Sequence, residues 1–288
     1  MGHDQVGTVA VIGAGIMGTG IAQVFAQFGF AVRQTDVSEA ILVKSEERMR
    51  ASLDSLVAKG RMAATEVEAV VNRVGQSTSV EEAVKDADFV VEAVVEDMET
   101  KKRVFLQLDQ VCAARTILAT NTSILSPTEI ASATRRPEKC IGMHFMNPAP
   151  IMKLVEVIPG LLTAAETVET TKAVATRIGK TPVVARESPG GIVSRIMVTM
   201  RNEAVDILAE GVATVEDIDT AMKLGAGFPM GPLELIDLVG VDLHVTNSEA
   251  MVRETGNPKY RPHPLLRKMV RAGLMGRKSG RGFHTYER

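Results

Sequence analysis

The sequence predicts an α/β domain of alternating strands and helices, interrupted by a helical insertion and followed by an all-α C-terminal domain. Three observations predict it. An apolar β-branched run, Val9–Ile12, leads into Gly13, Gly15 and Gly18 and then into a helical stretch that stops at Gly29. Short, mostly apolar segments then alternate with helical ones as far as Ala185, as expected for parallel strands covered on both faces. Beyond Glu187 no strand alternation is convincing and helical periodicity takes over. The boundary is therefore set at 186/187, giving domains of 1–186 and 187–288, a division that suits a chain of 288 residues.

The glycine turn carries the first functional statement. Its pattern is G-x-G-x-x-G, and a second apolar run, Phe30–Val32, leads on to Asp36. Gly13 permits the tight turn, Gly15 lets a pyrophosphate approach the backbone, and Gly18 lets the helix pack closely on the strands. The free N–H groups and positive end of the helix face the phosphates. Asp36 is placed to accept hydrogen bonds from ribose hydroxyls. Strand, turn, helix, strand and acid together make a Rossmann-type dinucleotide site of Gly13, Ala14, Gly15, Ile16, Met17, Gly18 and Asp36. The charge of Asp36 would repel a 2′-phosphate, which favours NAD over NADP.

The helical insertion comes next. A charged helix from Ser38 to about Gly60 is followed by a connector, Arg61–Ala64, and a second helix capped by Thr65 with Glu68. Such a pair forms either an arm over the active site or a plain surface hairpin. Ser79 and Glu82 repeat the capping signal before the strand Asp88–Val95. A helix over Glu99–Ala113, a strand over Thr116–Thr120 and a short helix over Pro127–Ala133 follow. Cys140–Phe145 and Leu154–Ile158 read as strands joined through the turn Asn147-Pro148-Ala149-Pro150. A helix over Thr167–Arg177 and a strand over Pro182–Ala185 complete the first domain.

In the second domain Ser188-Pro189 marks a helix start, an N-cap hydroxyl with proline at the first helical position. Ile192, Ile196, Met200, Ala204 and Leu208 recur at i+4 steps and predict a long buried helix closing at Gly211. Thr214 with Asp217 caps another helix, and Ala226–Pro232 is a bend. The wide apolar stripes and 15 methionines predict surface left over for a homodimer through this domain, the alternative being internal core alone.

Composition narrows the function classes. Net charge is −2 and aromatics are 3% with no Trp, so nucleic acid and membrane surfaces are not expected partners. No run of 18 apolar residues is present, hence no membrane span. Cys112 and Cys140 lack metal-type spacing and fit a reducing compartment; with a polar N-terminus unlike a signal peptide, the expected location is cytoplasmic. No metal is expected.

A nicotinamide enzyme needs a proton carrier that titrates near neutral pH, which favours histidine. His3 is in the tail, His263 lies between prolines, and His244 and His284 lie late in the chain. His144, in Gly142-Met143-His144-Phe145-Met146-Asn147-Pro148, is close to a strand end, where open α/β sheets bind ligands. Glu156, twelve residues on, is a carboxylate inside an apolar strand, a placement that is costly unless paired. Either the turn brings the two together, with the carboxylate fixing the imidazole, or they are a lone core histidine and an edge-strand glutamate.

Whole motifs then identify a resemblance. GAGIMGTGIAQVFA, VEAVVEDMETK, TNTSILSPTEIA, GMHFMNPAPIMKLVEVI, SPGGIV, DIDTAMKLGAGFPMGPLELIDLVGVD and GRKSGRGF span nearly the whole chain. Together they resemble the short-chain L-3-hydroxyacyl-CoA dehydrogenases, most closely the bacterial 3-hydroxybutyryl-CoA dehydrogenases. The resemblance implies NAD-dependent interconversion of (S)-3-hydroxyacyl-CoA and 3-oxoacyl-CoA. It implies that His144 is the general base, oriented by Glu156, and that Ser123 and Asn147 contact the reacting groups and the nicotinamide. Glu96, Lys101 and Lys278 match positions that contact the cofactor, and Ser52 and Lys59 match positions that contact coenzyme A. One position departs from the pattern. Many members carry Asn after P-G-F-x-V, where this chain has Pro189-Gly190-Gly191-Ile192-Val193-Ser194, so Ser194 is left as a shorter substrate contact. Asn202, two helical turns on, is too distant to replace it.

Two other readings stay open beside this one. A related sugar-acid dehydrogenase of the gulonate type would not need Ser52 and Lys59. A non-catalytic, dinucleotide-binding protein of the crystallin kind would not need Ser123, His144 and Glu156.

Overall fold

The computed structural model describes residues 6–287, so His3 and Gly2 lie outside the described residues. The chain divides into two compact units, Met1–Ser188 and Pro189–Arg288.

The first unit holds eight strands in one sheet, ordered β3-β2-β1-β4-β5-β6-β7-β8. They are β1 (Thr8–Ile12), β2 (Ala31–Thr35), β3 (Val74–Ser77), β4 (Phe89–Glu92), β5 (Ile117–Thr120), β6 (Cys140–Phe145), β7 (Leu154–Pro159) and β8 (Thr181–Val184). All neighbours pair in parallel except β6 with β7, which are antiparallel. The helices between them are α1 (Ile16–Gln27), α2 (Glu39–Ala58), α3 (Val67–Val71), α4 (Val80–Val84), α5 (Met98–Val111), α6 (Pro127–Ala131) and α7 (Ala165–Arg177). Strand alternation assigns each side chain to one face of the sheet. Val9 and Val11 join Ile21, Phe25 and Phe145 in one core cluster, while Ala10 and Ile12 join Phe105, Leu108 and Leu118 in the other. This is why the inner strands read as continuous apolar runs.

The second unit is helical: α8 (Val193–Ala209), α9 (Val215–Gly225), α10 (Pro232–Val239), α11 (Val241–Thr255) and α12 (Pro264–Arg271). Its core includes Val205, Ile218, Leu233, Ile236, Val241 and Leu266. The expected caps at Ser79 and Thr214 are present, with their hydroxyls accepting from Glu82 N–H and Asp217 N–H.

Several expectations need correction. The long helix does not begin at Ser188-Pro189. Residues 189–192 form a turn, and Gly190 and Gly191 have φ of +79° and +49°, which an α-helix cannot contain. The predicted stripe holds only in part, at Ala204. Ile192 and Ile196 are 41% and 60% exposed, and the buried face of α8 is Val198, Arg201, Asn202, Ala204 and Val205. Polar Arg201 and Asn202 turn inward, which an apolar count cannot foresee. The second inserted helix is not capped by Thr65 with Glu68. Instead the Glu66 carboxylate accepts from the Ala63 N–H at 2.9 Å, and Glu68 pairs with Arg50 on α2. The strand expected over Asp88–Val95 is only Phe89–Glu92, and β3, a half-buried edge strand containing Gly75, was not foreseen.

Both cysteines are buried and free, and burial pushes both thiols up to about 11, so neither is a ready nucleophile.

Candidate active site

The glycine turn joins β1 to α1, with Gly15 as the N-cap. A Cβ on Gly18 would lie 2.0 Å from the Gly13 carbonyl oxygen, so only glycine allows this helix–turn contact. A Cβ on Gly15 would meet nothing within 4 Å, so the backbone there is open to a ligand. The first turn of α1 carries no acid, and its N–H groups and positive end are left for an anion. These features fit the pyrophosphate of a dinucleotide. Pairing of β1 with β2 sets Ile12 opposite Thr35, which brings Asp36 to the turn. Its carboxylate accepts from Ala14 N–H at 2.7 Å and from Val37 N–H at 2.8 Å.

The His144–Glu156 pair follows from strand register. In the antiparallel pair β6–β7 the two residues are directly opposite. His144 Nδ1 lies 2.9 Å from Glu156 Oε2, with Glu156 fully buried and His144 7% exposed. The carboxylate assigns the proton to Nδ1 and leaves Nε2 as the acceptor. The turn between the strands, with its cis Asn147–Pro148 bond, is held by Lys180. The Lys180 ammonium donates to the carbonyls of Ala149 at 2.6 Å and Met152 at 2.8 Å, and burial holds its pKa below the usual lysine value. Asn121 accepts from Phe145 N–H at 2.8 Å and ties the end of β5 to the end of β6.

The other described histidines have structural tasks. His263 Nδ1 accepts from Leu265 N–H at the start of α12. His284 pairs with Asp219, and His244 with Asn202.

Beyond β4 lies a network that sequence reading had seen only in part. Glu92, fully buried, takes the Lys101 ammonium at 2.7 Å, the Thr120 hydroxyl at 2.7 Å and Val94 N–H at 2.7 Å. Lys101 also lies 3.4 Å from Glu96. Glu96 Oε1 in turn accepts from Ser123 N–H at 2.9 Å and from the Thr122 hydroxyl at 2.6 Å. Lys101 has no exposed surface, and its ammonium is held between Glu92 and Glu96. Glu92, Thr120, Asn121 and Lys180 were missed. Glu92 carried the signal already used for Glu156, a carboxylate in an apolar strand.

The glycine turn, Glu96 and Ser123 follow β1, β4 and β5, and the His144–Asn147 segment spans the end of the next strand, β6. All lie at the carboxyl end of the sheet, within about 14 Å at the usual strand spacing. Ser52 and Lys59 belong to the inserted hairpin. Ser52 is half-buried on α2 and Lys59 is its exposed C-cap, seven residues on and so on nearly the same face. Ser194 and Lys278 belong to the second unit. Ser194 is in the first turn of α8, and the Lys278 ammonium is 2.6 Å from Asp242. Asn202 is buried and committed to Tyr260 and His244, so it does not substitute for Ser194.

Residues 8–188 match the family model for the 3-hydroxyacyl-CoA dehydrogenase NAD binding domain, and residues 190–286 match the 3-hydroxyacyl-CoA dehydrogenase C-terminal domain. The chain is 50% identical over 281 residues to a 3-hydroxybutyryl-CoA dehydrogenase of Clostridioides difficile, covering 97% of this chain and 99% of the relative. It is 48% identical over 283 residues to a probable 3-hydroxybutyryl-CoA dehydrogenase of Bacillus subtilis, covering 98% of each. The crystal structure of (S)-3-hydroxybutyryl-CoA dehydrogenase PaaH1 from Ralstonia eutropha superposes with a TM-score of 0.93 at 41% identity, covering 99% of this chain and 100% of that one. A dinucleotide turn, a histidine–carboxylate pair at the carboxyl end of the same sheet, and matches across both units place the chain in the 3-hydroxyacyl-CoA dehydrogenase family.

Proposed function

We propose that this protein interconverts (S)-3-hydroxyacyl-CoA and 3-oxoacyl-CoA with NAD(H), acting on 3-hydroxybutyryl-CoA. The observation that carries the mechanism is the buried His144–Glu156 pair at 2.9 Å. Bound NAD supplies the acceptor for the hydride that leaves C3. His144 Nε2 takes the proton of the C3 hydroxyl, and Glu156 offsets the charge that forms on the imidazole. In the reverse direction the same nitrogen returns the proton. Ser123, held by Glu96, and Asn147, on the pinned turn, donate to the substrate oxygen and position the nicotinamide. Gly13–Gly18 and Asp36 hold the rest of the cofactor, and Ser52, Lys59 and Ser194 bind substrate.

Replacing Glu156 by Gln tests the pair without removing its bulk. The amide also offers a donor, so the imidazole is no longer fixed in one tautomer. Turnover is expected to fall by up to roughly 10⁴ with NADH affinity kept, as for the carboxylate of a catalytic triad. Stopped-flow or steady-state assay alongside NADH fluorescence titration reads both quantities, and full turnover in the variant would remove the orienting role. Cofactor choice has its own test. The Asp36 carboxylate should make NADPH the poorer reductant, and replacing Asp36 by Ser should narrow the gap.

The protein is also read as a cytoplasmic homodimer that associates through the second unit. Among the described residues no helix is long and apolar enough to cross a membrane. Exposed Ile192 and Ile196 support the dimer. So does an apolar cavity of about 430 Å³ lined by Met200, Ile207, Ala221 and Met222. A sedimentation experiment showing only monomer at micromolar concentration would remove it.

A further inference from the structure

α2 opens the helical insertion and carries Ser52, with Lys59 as its C-cap. Ser45 falls on the same line along the helix. Ser45, Ser52 and Lys59 recur every seven residues, and an α-helix drifts by only about 20° over that interval. The line is about 21 Å long. Exposure rises along it: Ser45 is fully buried, Ser52 is half-buried and Lys59 is exposed. Its inner end is thus anchored in the domain, and its outer end reaches the surface.

Ser45 is the polar member of the buried face of α2, beside Leu42, Met49 and Leu53. Its hydroxyl lies 2.8 Å from the Thr19 hydroxyl on α1 and 2.9 Å from Gln34 Oε1 on β2. Thr19 and Gln34 are buried as well. Gln76 on β3 donates from Nε2 to Gln34 Oε1 and to the Leu42 carbonyl, both at 3.1 Å, which holds α2 at a second point one turn away. Thr19 also reaches the Ala14 carbonyl of the glycine turn at 3.2 Å. Each hydroxyl has one proton. Either Thr19 donates to Ser45 and Ser45 to Gln34, or Ser45 donates to Thr19 and Thr19 to Ala14. The Thr19–Ser45 bond is kept in both arrangements. Apolar contacts at Leu42, Met49 and Leu53 hold α2 against the core without setting a direction. Hydrogen bonds are directional, so this polar cluster fixes the rotation of α2 about its own axis.

We propose that Ser45, held by Thr19 and Gln34, is a positioning residue for the acyl-CoA: it sets the rotation of α2 and so the direction in which Ser52 and Lys59 meet coenzyme A. This rests on the function proposed above. A rotation of α2 by about 20° would carry a side-chain tip through about 2 Å, enough to break a hydrogen bond. Ser45 touches neither the reacting atoms nor the cofactor side chains named above, so its effect is confined to the arm.

The test is steady-state reduction by NADH of two thioesters, acetoacetyl-CoA and acetoacetyl-N-acetylcysteamine, which keeps the reacting end and lacks the nucleotide. Ser45→Ala strands no buried group, because the Thr19 hydroxyl keeps Ala14 and Gln34 Oε1 keeps Gln76. Its KM for acetoacetyl-CoA is expected to rise about fivefold to tenfold, the scale of one lost hydrogen bond. Its kcat, its NADH affinity and its KM for the truncated thioester should match the wild type. Should that variant fail to fold, Thr19→Val leaves Ser45 bonded to Gln34 and should show the same split between the two thioesters. An unchanged KM for acetoacetyl-CoA, or an equal rise with both thioesters, overturns the positioning role and leaves the reaction standing. A wild type that reduces neither thioester overturns both.

Discussion

Replacing His144 by Ala is expected to lower turnover by roughly 10²–10⁴, with binding of NADH retained. The two readouts separate because His144 sits on β6, whereas the glycine turn and Asp36 sit at the ends of β1 and β2, one and two strands beyond the β4–β5 pair. The deletion also leaves the Glu156 carboxylate fully buried without the imidazole. Some loss of stability should therefore accompany the loss of activity. A His144→Gln variant, which keeps a polar partner for the carboxylate, separates the effects: it should recover stability and remain inactive. Near-normal turnover in either variant would end the role assigned to His144.

Lys101→Met should produce the largest stability change. Lys101 and Glu92 are both fully buried and lie 2.7 Å apart. Removing the ammonium leaves Glu92 as a buried carboxylate held only by the Thr120 hydroxyl and Val94 N–H. Breaking one side of such a pair costs about 3–5 kcal/mol. Urea unfolding is the measurement, and the midpoint should fall with little change in slope. The double variant Glu92→Gln with Lys101→Met removes both charges and should regain much of the loss. If Lys101→Met unfolds no earlier than the wild type, the pair has been misread. A second consequence reaches the site. Lys101 also lies beside Glu96, which holds Ser123, so substrate turnover in the folded variant should fall as well.

The parts of this architecture that were legible in the sequence share a local cause. The glycine turn is legible because its jobs fall on neighbouring residues, and the structure shows the close approach at Gly18 directly. His144 and Glu156 could be paired in thought because twelve residues and a proline-rich turn allow one antiparallel register. Glu92 and Lys101 join β4 to the start of α5, and a carboxylate in an apolar strand marks Glu92 just as it marks Glu156. The start of α8 was misread because Ser188-Pro189 is a good local signal, overruled by the positive φ of the next two glycines. Its buried face was misread because Arg201 and Asn202 are polar, and the partners that hold Asn202 inward, His244 and Tyr260, lie 42 and 58 residues away. Ser52, Lys59 and Lys278 carried no signal of their own, and only the resemblance singled them out.

The central claim is that the glycine turn and the His144–Glu156 pair serve one reaction on an acyl-CoA. Steady-state reduction of acetoacetyl-CoA by NADH, with free acetoacetate as the comparison, tests it most directly. The account predicts turnover with acetoacetyl-CoA, a poorer rate with NADPH, and little or none with the free acid. A protein that binds NADH yet leaves acetoacetyl-CoA unreduced, or that prefers the free acid, would contradict it.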